Sequence, residues 1–210
     1  SPLGEGKAGW PGRACPAPTA LLTIEKGNNM AKEAKTNAMR MLERAKVAYT
    51  SHEYPHEEGQ AVDGANVARL TGQDPARVFK TLVTQGADRN YYVFVVPVLA
   101  ELDLKKAAKA AGVKSVAMIH VADINKVTGY IRGGCSPVGM KKQFVTVYDE
   151  SCLAQQTMLV SGGRIGTQIE CAPADLIKVT RGRTAAITQE HEASRRPSGL
   201  RKTRNIDNSL

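Results

Sequence analysis

Val78-Phe79-Lys80-Thr81-Leu82-Val83-Thr84, a break at Gly86-Ala87-Asp88, then Tyr91-Tyr92-Val93-Phe94-Val95-Val96-Pro97-Val98: this stretch decides the fold. Two runs rich in β-branched and aromatic residues flank a short polar segment, which predicts an antiparallel hairpin. Upstream, residues 34–48 carry Ala38, Met41, Leu42 and Ala45 at helical spacing, and residues 47–54 turn into a strand that ends at Pro55. Residues 61–70 read as a helix that Gly72 stops, and Asp74-Pro75 starts one short turn. Downstream, Asp103 caps a helix running through Ala111 to Gly112, and a further helix covers residues 121–127. Residues 144–148, 158–160 and 166–171 read as strands, and Pro173 opens a last short helix. Helices and strands interleave without a β-α-β period or an internal repeat. The class is therefore α+β, or an irregular α/β, in one domain.

Composition frames this core. With 42% hydrophobic but only 5% aromatic residues, the interior must be mainly aliphatic. The longest apolar run, residues 91–100, contains a proline and is far too short to cross a bilayer. Cys15, Cys135, Cys152 and Cys171 show no C-x-x-C spacing, so neither a zinc site nor a redox pair is signalled, and their scatter fits a reducing cytoplasm. Met30-Ala31-Lys32-Glu33 resembles a translational start. Residues 1–29, rich in glycine and proline, are then a disordered extension left by upstream translation or cloning. The folded domain is expected over residues 30–190, and residues 191–210 read as a basic disordered tail. Of the net charge of +9, the tail holds three and residues 1–29 one, leaving five to the domain. That excess fits a polyanionic partner such as RNA, although solubility alone also accounts for it.

The chemistry concentrates at two places. Lys80 lies in an apolar strand on the same period-two face as Val78 and Leu82. A solvent-facing lysine is the usual case, but apolar neighbours on its face argue for a cleft, where an ammonium can hold a carbonyl or a phosphate. Residues 128–142 read Thr-Gly-Tyr-Ile-Arg-Gly-Gly-Cys-Ser-Pro-Val-Gly-Met-Lys-Lys, a glycine loop that Tyr130, Ile131, Arg132 and Pro137 shape beyond a plain turn. Within it, residues 134–139 resemble a nucleophile elbow around Ser136. The second glycine comes one residue late, however, and Pro137 removes an oxyanion-hole N–H, so a serine hydrolase is disfavoured. His52, His56, His120 and His191 show no triad spacing, and Cys135 reads as an inert small side chain. Ser161-Gly162-Gly163-Arg164 is a second glycine turn, of interest only if the fold sets it beside the first. No metal-binding or nucleotide-cradling motif is present.

Four blocks in order resemble the YbaK family of aminoacyl-tRNA editing proteins. They are Phe79-Lys80-Thr81-Leu82, the segment from Pro97 through Glu101-Leu102-Asp103-Leu104-Lys105-Lys106, Thr128-Gly129-Tyr130 through Gly133-Gly134-Cys135-Ser136-Pro137-Val138-Gly139, and Ser161-Gly162-Gly163-Arg164 with Gln168-Ile169-Glu170. The resemblance spans residues 35–187 and is strongest to the free-standing deacylases that clear cysteine mischarged onto proline tRNA. It implies a mixed, barrel-like β-sheet flanked by helices that works without metal or cofactor. It also implies aminoacyl-tRNA as substrate and prolyl-tRNA synthetase as partner. Carried onto this chain, the catalytic positions are Lys80, Gly133 and Gly134, and the substrate-binding positions are Tyr54, Ser136, Ser161 and Gly162. In the cysteine-clearing subgroup the substrate's own thiol attacks its ester, so no protein nucleophile is needed. Cys135 replaces an aliphatic residue and Gln168 an aspartate found in some members, which leaves Gln168 without an expected catalytic role. Residues 57–63, expected to line the amino-acid pocket, match the family loosely. Two further readings remain open: release of alanine from tRNA(Pro), and a non-catalytic module that binds tRNA or the synthetase.

Overall fold

The computed structural model describes residues 34–190, and those from Lys35 onward form one compact unit. The expectations for residues 1–29 and 191–210 lie outside the described residues. The hairpin forms as the sequence predicts: β2 (Phe79–Gly86) and β3 (Tyr91–Pro97) pair antiparallel from Phe79↔Pro97 to Gln85↔Tyr91. Asp88 organises the connection, because its carboxylate accepts from the Asn90 backbone and side chain and from the Tyr92 hydroxyl.

Three pairings extend the hairpin into a five-stranded mixed sheet of order β4-β2-β3-β5-β8. β4 (Val116–Met118) runs antiparallel to β2, whereas β5 (Val145–Asp149) and β8 (Arg183–Ala185) run parallel to β3 and to each other. A second, antiparallel sheet has the order β1-β7-β6, from Thr50–Glu53, Thr167–Cys171 and Met158–Ser161. The expected barrel does not close. The two sheets are joined by the isolated bridge Val78↔Leu159, and the three-residue strands β4 and β8 end the larger sheet. Strands this short offer too few backbone groups to carry the sheet round on itself.

Central β3 is buried on both faces, so its sequence is continuously apolar rather than alternating. Val95 joins a cluster with Leu42, Tyr148, Ile169 and Leu176, beneath α1 (Asn37–Arg44) and α5 (Pro173–Thr180). Phe94 and Val96 face the opposite way, towards Ala107 and Ala108 of α3 (Leu104–Ala111). α1 is shorter than its periodicity suggests: Thr36 caps it, accepting from the Met39 N–H at 3.2 Å, and Met39 joins Ala38 and Leu42 on the buried face, with Met41 half-buried beside them and Ala45 exposed. α2 (Gly64–Thr71) also begins later than expected, but ends at Gly72 in the left-handed region as the sequence indicates. Its late start leaves residues 61–63 outside any regular element, with Val62 in the wall of the site described next. Asp74 and Asp103 cap their helices as expected. α4 (Val121–Thr128) then leads into the glycine loop.

Candidate active site

The loop after α4 is built round a tyrosine. Tyr130 is buried and donates its hydroxyl to the Val138 carbonyl at 2.7 Å, so the bulk that marked this loop is its internal pillar. Ile131 and Arg132 are exposed. The Gly134 N–H closes a tight turn on the Ile131 carbonyl at 3.0 Å, with Gly133 at φ +84 in the position where a type II turn demands glycine. Gly134 meets a different constraint, since a Cβ there would lie 2.9 Å from the Arg164 backbone. The second glycine turn therefore does fold beside the first. Ser161 reinforces the contact by donating a long hydrogen bond, 3.4 Å, to the Gly133 carbonyl. From the other side, the Thr36 hydroxyl donates to the Gly162 carbonyl at 2.6 Å.

A small cleft of about 120 Å³ opens where these turns face β2, and Tyr54, Lys80, Gly133, Ser161, Cys135 and Gln168 supply its polar lining. Val62, Val67, Val78, Phe79 and Val98 form its apolar walls. The volume is well below the ~300–1,000 Å³ typical of pockets for drug-sized ligands, and is on the scale of a single small group such as an aminoacyl moiety. The Lys80 side chain, 28% exposed, reaches the cleft from β2 and pairs at 3.2 Å with Glu101, which is 73% exposed. Burial pushes the Tyr54 hydroxyl above its ordinary pKa, which keeps it a donor at neutral pH.

Of the seven residues expected at the site, the structure gathers Tyr54, Lys80, Gly133 and Ser161 into the cleft lining and leaves three outside it. Gly134 sits behind the wall with its N–H already bonded, and Gly162 is held in the hairpin by Thr167 and Thr36. Ser136 is fully buried, and its hydroxyl accepts from the Val138 N–H at 3.3 Å, as a turn-forming serine does. Cys135 lines the cleft, but burial raises its thiol to about 11 and keeps it protonated and un-nucleophilic. Gln168 is the residue that sequence reasoning passed over. It is 4% exposed, lines the cleft, and its amide oxygen has no hydrogen-bond partner. An orphaned buried acceptor costs on the order of 1–3 kcal/mol, a cost that a donor on a ligand would relieve. Among the described residues no group of three or more His, Cys, Asp or Glu side chains is placed to hold a metal, and no helix is long and apolar enough to cross a membrane.

Residues 58–179 match the model of the aminoacyl-tRNA editing domain family. A protein of Enterococcus faecalis named "Putative Cys-tRNA(Pro)/Cys-tRNA(Cys) deacylase EbsC" is 47% identical over 156 residues, covering 74% of this chain and 94% of that one. The crystal structure of "a putative trans-editing enzyme for prolyl tRNA synthetase" superimposes with a TM-score of 0.63 at 22% identity, covering 73% of this chain and 96% of that one. A crystal structure of a hypothetical protein does so with a TM-score of 0.66 at 21% identity, covering 73% and 99%. At these identities the two structures speak for the fold.

Proposed function

The chain belongs to the aminoacyl-tRNA editing domain family, and from that premise we propose that it is a cytoplasmic trans-editing deacylase that clears cysteine from mischarged tRNA(Pro). The observation that carries this reading is the cleft itself. It has a cation, a glycine turn, two hydroxyls and an unmet amide acceptor round a space of aminoacyl size, while Ser136 is sealed away and Cys135 is protonated. Such a site holds an ester and stabilises developing charge rather than attacking the ester itself.

The substrate's thiol then supplies the nucleophile. Its sulfur attacks the ester carbonyl, the C–S bond forms as the C–O bond to the ribose breaks, and the thiol proton ends on the released ribose hydroxyl. The products are a cyclic cysteine thiolactone and uncharged tRNA. Lys80 and the backbone at Gly133 stabilise the carbonyl oxygen as it gains charge, and Lys80 leaves Glu101 to do so. Tyr54 and Ser161 orient the ester, and the Gln168 amide oxygen accepts from the substrate's ammonium. The relative from Enterococcus faecalis, with a name that specifies Cys-tRNA(Pro) and Cys-tRNA(Cys), supports cysteine as the amino acid. A cleft this small leaves the choice of tRNA to surfaces outside it, and prolyl-tRNA synthetase is the partner we assign to that choice.

Single-turnover deacylation of tRNA(Pro) charged with Cys, Ala or Pro, and of Cys-tRNA(Cys), tests this. Cysteine should be released from tRNA(Pro) by wild type and by Ser136→Ala, but not by Lys80→Ala. Equal release of alanine would make water the nucleophile, and loss of turnover in Ser136→Ala alone would restore a serine hydrolase. No release of any amino acid would leave a binding module.

A further inference from the structure

Away from the cleft, a groove of about 540 Å³ runs between the tip of the β2–β3 hairpin, the end of α4 and the start of β5, lined among others by Arg89, Lys126, Lys142, Tyr91 and Phe144. Lys142 and Phe144 also line an adjoining depression of about 250 Å³ that includes Lys141. We propose that this groove binds the phosphate backbone of RNA and is the surface by which the protein holds the body of its tRNA. The proposal rests on the reading of the substrate as a tRNA ester.

Charge is the first support. Arg89, Lys126, Lys141 and Lys142 are all exposed, and none has an acidic partner within salt-bridge distance among the described residues. Lys141 instead donates to the Lys126 carbonyl at 3.4 Å, which draws two of these cations together. The nearby carboxylate, Asp88, is occupied by Tyr92 and Asn90. Unpaired cations of this density suit an anion that brings several charges at a regular spacing.

The floor is the second support. Tyr91 and Phe144 are half-buried and meet edge to face, with ring centroids 6.1 Å apart, offering aromatic surface among the cations on which an unpaired base can stack. Cations with interleaved aromatic rings match single-stranded or frayed RNA better than an apolar protein partner. The third support is continuity. Tyr91 and Phe144 pack against the cluster of Val127, Tyr130 and Cys135, and Cys135 lines the cleft. One hydrophobic wall thus has the cleft on one side and the groove on the other, and the loop from Gly129 to Gly133 carries the chain between them.

Binding of a deacylated tRNA(Pro) transcript, titrated at several salt concentrations, reads the groove without any chemistry. The double variant Lys126→Glu/Lys142→Glu should bind at least about tenfold more weakly near 100 mM salt, and the slope of log K against log salt should shrink by roughly 1.4–1.8, two lost phosphate contacts. Turnover of cysteinyl-adenosine, a substrate with no tRNA body, should be the same in wild type and variant. Unchanged tRNA affinity and slope in the folded variant would overturn the proposal, as would an equal loss of turnover on both substrates. Selective loss of polyglutamate or anionic-vesicle binding, with tRNA binding intact, would also overturn it and assign the groove to another polyanion. If the deacylase reading fails, no ester is cleaved by either protein, yet the transcript titration still decides the groove.

Discussion

The cleft and the groove share a hydrophobic wall but use their charges in opposite ways. In the cleft, the polar groups are few and buried or half-buried; Lys80 is engaged with Glu101 and Ser161 with the Gly133 carbonyl, while the Gln168 amide oxygen is left unmet. The groove's lysines and Arg89 are exposed and have no acidic partners among the described residues. Groups set in the wall of a small cleft can act on charge that develops at one atom. Unpartnered groups at the surface draw in a polyanion and yield to its shape. Removing the Lys80 charge from the cleft should therefore affect rate steeply and almost independently of salt. Removing one from the groove should affect affinity moderately and in a strongly salt-dependent way.

The steepest test is Lys80→Ala. If Lys80 stabilises the developing charge, its loss should lower the single-turnover rate by about 10²–10³, the usual cost of removing one such donor. Affinity for uncharged tRNA should stay unchanged. An equal loss of tRNA affinity would erase the distinction between the two regions.

Cys135 comes next. With its thiol raised to about 11 by burial, its ionised fraction at pH 8.5 should leave alkylation by iodoacetamide about a hundredfold slower than that of a free thiol. The sign follows from the raised value: both states are protonated at neutral pH. Above about 8.5 the unfolded thiol ionises first, so stability falls as pH rises towards 11. Rapid labelling of Cys135 in the native protein, followed by mass spectrometry, would show a reactive thiol in the cleft and reopen covalent catalysis. A smaller effect is expected for Gly134→Ala. Its new methyl group would press on the Arg164 backbone, costing about 1–3 kcal/mol of stability in a chemical melt and separating the two glycine turns.

How much of this was legible beforehand divides along the same line between local and long-range causes. The hairpin, the caps at Asp74 and Asp103, and the stops at Gly72 and Gly112 are written in adjacent residues, so pattern alone finds them. β4 and β8 are not: three residues carry no period, and their pairing is decided by β2 and β5, distant in sequence. The barrel came from resemblance, and the short edge strands correct it. For the site, the apolar face round Lys80 pointed to a cleft, but only the resemblance connected Tyr54 and Ser161 to it. The burial of Ser136 and the unmet oxygen of Gln168 depend on neighbours from other elements, which no local motif reveals. The basic groove escaped for the same reason. The sequence showed a diffuse excess of charge, and folding brings part of it together from the hairpin tip, α4 and the segment before β5.

The mildest prediction bears on the partner that Lys80 has and the groove cations lack. An ion pair with one partner 73% exposed contributes only about 0–1 kcal/mol, so Glu101 anchors Lys80 weakly. In the proposed mechanism a substrate oxygen competes with this carboxylate for the same ammonium. Glu101→Gln should then raise kcat/KM two- to fivefold, roughly 0.4–1 kcal/mol, through a lower KM at low salt. The gain should fade as ionic strength screens the competing charge. A loss of kcat in its place would mean that Glu101 orients Lys80 for the reaction. The carboxylate would then be part of the machinery, not an occupant that the substrate displaces.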